Sequence, residues 1–196
     1  MTKATHLAHT LITAHLASIR PLLPPDSKLI AIDATVGNGL DTVFLATCVG
    51  ESGVVYGFDV QSLNHAQQRL AASGLAHRVH WIQCGHEMLL EHLPLSLHGN
   101  VHAIMFNLGY LPHSDKTCIT HPATTIPALK QSCTVLAPHG ILTVVCYTGH
   151  TGGKEETQAV QALFHSLPQT MYSILHCKFI NQRGNPPELF VLYKVS

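Results

Sequence analysis

Ten residues constrain this chain more than any others: Asp33-Ala-Thr-Val-Gly37-Asn38-Gly39-Leu-Asp41-Thr42 join an apolar, β-branched run to a segment of helical periodicity. Two glycines one residue apart let the backbone leave a strand sharply and enter a helix, with no Cβ between the main chain and anything bound there. A ligand in that position, cradled by Asp33 to Thr42 with Thr42 among its contacts, lies against a helix N-terminus, where amide N–H groups lack intrahelical partners. A tight strand-to-helix turn with no ligand needs the same glycines, and short G-x-G motifs recur by chance, so the surroundings must decide.

The surroundings repeat one unit. Residues 29–33, 54–59, 79–84, 101–107 and 140–147 read as strands, with helical patterns at 41–48, 63–73, 87–92, 126–136 and 155–167. Before them, Leu7, Leu11, Ile12, Leu16 and Ile19 recur at helical spacing and stop at Arg20-Pro21, which predicts a capping helix and turn within residues 1–25. The last two apolar runs, 172–180 and 188–195, are separated only by the turn-rich stretch 181–187. A parallel crossover needs a dozen or more residues, so these two must be antiparallel. Five parallel strands finished by a hairpin give a single α/β domain over 1–196: a seven-stranded, mostly parallel, Rossmann-like sheet of the class I methyltransferase pattern, with helices on both faces.

With 196 residues the chain holds one well-buried domain, and 46% hydrophobic against 11% charged residues suits a continuous core under a sparsely charged surface. Eleven basic residues balance eleven acidic ones, which removes the bulk-charge argument for coating nucleic acid without excluding RNA. Most of the sixteen histidines read as exposed polar positions. His6 with His9 and His77 with His80 are spaced by three but lack the Cys or carboxylate company of a zinc site, so no metal is expected. Six cysteines without a C-x-x-C pair, no membrane-length apolar run and no signal peptide point to reduced thiols and the cytoplasm. The apolar first helix and low charge suggest a homodimer.

Asp59 stands about twenty residues beyond the glycine turn, at the end of the second strand, where a carboxylate in this architecture accepts both ribose hydroxyls. An adenosine-bearing cofactor follows. NAD stays open, but its fingerprint asks for a third glycine where this chain has Thr42. Asp33, four residues before Gly37, favours S-adenosylmethionine, whose ammonium a carboxylate engages and whose place a pyrophosphate could not take. At the end of the third strand, Gly85 and His86 are placed to meet an adenine edge, although a turn with a helix cap would look the same.

Phe106-Asn107-Leu108-Gly109-Tyr110-Leu111-Pro112 follows the fourth strand, where amino-group methyltransferases carry an Asn or Asp, turn residues and an aromatic. An amine attacks a sulfonium methyl only with its lone pair along the S–CH3 axis, so the Asn107 side-chain oxygen and the Leu108 carbonyl would hold its N–H bonds aside. Tyr110 would stack on a flat substrate. A buried Asn capping a strand end is the plainer alternative. The polar stretch from Ser114-Asp115-Lys116 through Thr124-Thr125 reads as a substrate lid or an exposed loop, and Tyr147 with His150 and Asn181-Gln182-Arg183 lie at further loops. Asp115, His86 and His150 are candidates for proton removal, with no obligatory base evident.

On these motifs, together with Gly57-Phe-Asp59-Val-Gln61 and Gly149-His150, the chain resembles bacterial tRNA 5-(aminomethyl)-2-thiouridine methyltransferases of the MnmM/YtqB type, once labelled rRNA methylases. The likeness runs over almost the whole chain and is most specific around Asn107. It implies methyl transfer from S-adenosylmethionine to the primary amine of 5-aminomethyl-2-thiouridine in a tRNA anticodon loop, giving the 5-methylaminomethyl form. Gly37, Asn38, Gly39, Asp41, Asp59, Gln61, Gly85 and His86 match the family's cofactor motifs. Leu40 and His121 depart from its usual residues. A small-molecule or rRNA amino-group methyltransferase, an NAD oxidoreductase and a noncatalytic binding protein are the rival readings.

Overall fold

The computed structural model describes residues 1–109 and 119–195. Among these residues seven strands form one sheet: β1 Ile30–Asp33, β2 Val54–Phe58, β3 Val79–Ile82, β4 Val101–Leu108, β5 Leu136–Cys146, β6 Tyr172–Cys177 and β7 Glu188–Lys194. Their order is β3-β2-β1-β4-β5-β7-β6. The first five run parallel, and β7 lies antiparallel between β5 and β6. The expected hairpin is therefore present, with its second strand inserted next to β5.

Among the described residues six α-helices flank the sheet: α1 Lys3–Ile19, α2 Leu40–Cys48, α3 Asn64–Ala72, α4 Leu89–His92, α5 Pro122–Val135 and α6 Gly153–Ser166. Alternation along β4 explains how they divide, because successive side chains of a strand face opposite ways. Ile104, Phe106 and Leu108 enter one core with Leu89, Leu129, Val160 and Phe164 from α4, α5 and α6. Ala103 and Met105 enter the other, with Ile12, Leu16 and Leu45 from α1 and α2. The central strands β1, β4 and β5 are covered on both faces, which is why these segments read as near-continuous apolar runs. Parallel strands also place all their C-terminal ends on one edge of the sheet. Asp33, Asp59, Gly85, Asn107 and Tyr147 collect there.

Two boundaries differ from the sequence reading. α5 starts at Pro122, four residues before the expected point; Pro at the first helical position fits a helix start, while Pro127 inside the helix removes one amide donor and hides the continuation. β5 begins at Leu136, and its pairing with β4 shifts register between Val101 and Ala103. His139 lies in that stretch with φ 59°, and His15 of α1 bonds its carbonyl oxygen at 2.7 Å.

Candidate functional site

The turn after β1 is held from below. Asp33 is fully buried, accepting the Thr35 N–H at 3.2 Å and the Thr42 hydroxyl at 2.6 Å. Burial first, and the neighbouring Asp41 carboxylate second, push its pKa up to about 7; the bonds from Thr42 and Thr35 pull the other way. Thr42 is itself fully buried, so its hydroxyl serves Asp33 rather than a ligand. That corrects its expected place among the cofactor contacts.

Gly37 and Gly39 both adopt left-handed backbone, with φ 51° and 77°. Gly39 has a second reason to be glycine: a Cβ there would stand 2.8 Å from Ala66 Cβ on α3. The close approach assigned to a ligand at this position is, for Gly39, also an approach between α2 and α3. Asn38 offers its carbonyl to Arg69 of α3 at 2.8 Å.

Asp59 draws the turn and the end of β2 together. One carboxylate oxygen accepts the Gly37 N–H at 2.7 Å and the other the Gln61 N–H at 2.8 Å. An ionised carboxylate has about four acceptor sites, so two backbone bonds leave capacity on both oxygens. After β3, Gly85 leads into a short 3-10 turn, His86–Met88. His86 is buried, its ring edge-on to Phe106 at 5.5 Å between centroids. Its Nδ1 meets the Ala34 carbonyl at 3.2 Å, and a carbonyl only accepts, so Nδ1 carries the proton. Burial lowers the pKa of the ring, which leaves Nε2 as a bare acceptor with no hydrogen-bond partner among the described residues.

Asn107 closes the constellation from β4. Its backbone N–H donates to the Thr35 hydroxyl at 2.8 Å, which fixes the end of β4 against the glycine turn. Its side-chain amide nitrogen donates to Asp41 at the start of α2. Its Oδ1 is buried without a hydrogen-bond partner among the described residues. Leu108, expected to offer a carbonyl to substrate, instead gives it to the Tyr147 N–H at 3.2 Å and buries its side chain in the core. The Leu108 carbonyl is engaged in the sheet, and Asn107 Oδ1 is the side-chain acceptor left unmatched at this strand end among the described residues.

Around this centre, Tyr147 reaches the Thr5 hydroxyl of α1 at 3.4 Å. Both Tyr147 and His150 lie beside Gly109, where an added Cβ would come within 3.4 Å of Tyr147 and 3.6 Å of His150 Nε2. Thr148 bonds the Pro186 carbonyl at 3.3 Å, so the segment before β7 lies against the loop after β5. Asn181, Gln182 and Arg183 precede that contact, with Asn181 and Arg183 exposed. Tyr110, Asp115 and Lys116 lie outside the described residues. Thr124 and Thr125 fall in the first turn of α5 rather than in a lid. Thr124 bonds the His121 carbonyl, and Thr125, fully buried, donates to Glu156 at 2.6 Å. The Thr125 side chain, expected to meet substrate, is instead committed to Glu156 in the interior.

Sequence reasoning passed over Thr35, His9 and Glu156. Glu156 is 1% exposed and accepts from both Thr120 and Thr125. It stands four residues before Val160 on the buried stripe of α6, and a carboxylate on an apolar stripe was the available signal. His9 stacks on Phe44 with centroids 3.7 Å apart and bonds Asp41 at 2.6 Å. It borders the apolar stripe of α1 in the same way. Among the described residues no cluster of three or more His, Cys, Asp or Glu side chains could hold a metal ion.

The strand order, the glycine turn after β1 and the acidic residue after β2 define a class I methyltransferase fold. The chain belongs to the family described as "Putative rRNA methylase", whose model matches residues 55–193. It is 34% identical, over 174 residues, to the chloroplastic tRNA (mnm(5)s(2)U34)-methyltransferase of Arabidopsis thaliana; the match covers 83% of this chain and 62% of that protein. The chain thus spans less than two thirds of that relative's length. A crystal structure described as a "putative rRNA-methylase" from Clostridium thermocellum superposes with TM-score 0.86 at 34% identity, covering 99% of this chain and 98% of the other. A Streptococcus mutans methyltransferase structure in complex with SAH gives 0.82 at 32% identity, covering 99% of both chains.

Proposed function

We propose that this protein transfers a methyl group from S-adenosylmethionine to the primary amine of 5-aminomethyl-2-thiouridine at the wobble position of tRNA. The observation that carries the reading is Asn107 Oδ1: a buried acceptor without a hydrogen-bond partner among the described residues, at the end of β4, beside a glycine turn and a carboxylate arranged for an adenosyl group. A buried acceptor left unmatched costs about 1–3 kcal/mol, and a substrate N–H is the group that would satisfy it. The family and the Arabidopsis relative support the same chemistry.

The residues present fit S-adenosylmethionine. Asp59 keeps acceptor capacity for the ribose hydroxyls, and the bare His86 Nε2 suits an exocyclic amine N–H of adenine. Asp41 presents a carboxylate at the start of α2 for an ammonium group, Asp33 holds the turn from beneath, and the glycine turn lets main chain approach. When bound, the cofactor supplies an electrophilic methyl group on a sulfonium. Asn107 Oδ1 then accepts one N–H of the substrate amine and directs its lone pair. A primary alkylamine resembles Lys, with a reference pKa of about 10.4, so the buried site aids catalysis by lowering that value before attack. RNA would reach the site over the groove of about 470 Å3 between the start of α1 and Phe179, where Lys3 and His6 offer phosphate contacts and Phe179 a stacking face. The same reading has the enzyme work as a cytoplasmic homodimer; its described cysteines are all free, which suits a reducing compartment.

The test is direct. Purified protein is incubated with methyl-labelled S-adenosylmethionine and tRNA from cells lacking the terminal methylation, and the digested nucleosides are identified by mass. Label in 5-methylaminomethyl-2-thiouridine is expected. Label only in rRNA or only in small amines would overturn the tRNA assignment.

A further inference from the structure

α1 sets a histidine against Asp41. His9, its ring flat on Phe44 at an interplanar angle of 5°, places Nε2 2.6 Å from Asp41 Oδ1. The other Asp41 oxygen takes the Asn107 amide nitrogen. An ionised carboxylate only accepts, so both contacts have a fixed direction: His9 carries its proton on Nε2, and Asn107 turns its nitrogen to Asp41 and its oxygen away. The chain of bonds therefore decides which end of the Asn107 amide faces the site. His9 and Asp41 side chains are only 15% and 14% exposed, so little water competes for these bonds.

We propose that His9 is a positioning residue that acts through Asp41 to hold the Asn107 amide in the one orientation that presents Oδ1 to a substrate N–H. The proposal rests on the function assigned above for the meaning of that orientation, but the orientation itself is a property of the protein alone. With His9 in place, Asp41 is clamped between the imidazole and the amide. Without it, the carboxylate turns toward water, and the amide loses the acceptor that distinguishes its nitrogen from its oxygen. Asp41 also begins α2, where a carboxylate is stabilised by the helix N-terminus, so removing His9 changes the aim of the carboxylate more than its presence.

Two variants separate aim from packing. His9→Phe keeps an aromatic ring on Phe44 and removes the hydrogen bond; His9→Gln loses the stack and keeps an N–H within reach of Asp41. In 15N-labelled protein without ligands, the Asn107 side-chain amide is assigned by its loss in Asn107→Asp. Its two proton resonances should be well separated in the native chain, should draw together in His9→Phe, and should separate again in His9→Gln. In methyl-transfer assays, kcat of His9→Phe should fall roughly 10- to 100-fold, the range expected for misplacing a positioning group, with RNA KM changed less than about threefold. His9→Gln should recover most of that loss. An Asn107 amide unmoved by His9→Phe would overturn the proposal, as would equal kcat losses in both variants in step with a lowered Tm. Because the amide spectrum decides without substrate, a native protein inactive on tRNA would sink the functional reading and not this one.

Discussion

Thr42 donates its hydroxyl, at 2.6 Å, to an Asp33 carboxyl group that has no exposure to solvent. The bond ties the first turn of α2 to the last residue of β1 across the glycine turn. It does not fully offset burial, because the Asp33 pKa still stands at about 7 against an ordinary 3.8. Between those values the folded protein holds a proton that the unfolded chain has released. Stability then falls as pH rises through that window, and the full penalty is present above pH 7. Asp33→Asn has no such charge to bury. Its stability relative to the native protein should therefore climb from about pH 4 to pH 7 and level off above, read as urea midpoints across pH. A difference that stays flat with pH would show that Asp33 titrates normally.

Asn107→Ala removes the acceptor proposed for the substrate amine but none of the groups proposed to hold adenosine. Methyl transfer should drop at least roughly 100-fold, while cofactor affinity by calorimetric titration stays within about threefold. Equal losses in both would move Asn107 from the substrate to the cofactor.

Asp59 should behave in the opposite way. Asp59→Ala strips the Gly37 and Gln61 amides of their shared acceptor and removes the proposed ribose contact. A hydrogen bond to a charged group is worth about 1.5–3 kcal/mol, or roughly 10- to 150-fold in affinity. Titration with S-adenosylhomocysteine measures the binding loss without catalysis. Unchanged binding would mean that Asp59 only braces the turn.

How far the chain could be read depended on distance along it. The five parallel strands announced themselves through apolar runs, and the closing hairpin through the short separation of its strands. Asn107 was legible because a strand end followed by turn residues is a local pattern. The insertion of β7 between β5 and β6 was not, since periodicity states which residues are buried and not which strands are neighbours. Nor was His9 with Asp41, a contact across 32 residues made by two helices whose approach only the packed sheet decides. Thr125 misled for a related reason. A polar residue near a predicted loop looks available until a buried Glu156 from α6 claims it.

Thr125→Val tests that correction. The variant keeps the shape of the side chain and deprives a buried carboxylate of one of its two hydroxyl donors. Stability should fall by about 1–3 kcal/mol, with cofactor affinity unchanged. A selective loss of activity with normal stability would return Thr125 to the substrate site.

The glycine turn carries a last distinction, between room for a ligand and room for a helix. Gly39→Ala faces two obstacles: φ of 77°, which an L side chain rarely adopts, and a new Cβ 2.8 Å from Ala66 Cβ and 2.9 Å from Ala66 Cα. The backbone obstacle alone costs about 1 kcal/mol or more. The steric one cannot be relieved by trimming α3, because Ala66→Gly removes the Cβ but leaves the Cα in place. The double variant should therefore recover only part of the stability lost by Gly39→Ala in urea unfolding. Complete recovery would locate the whole constraint in one methyl contact, and leave the left-handed turn with no role in selecting glycine at this position.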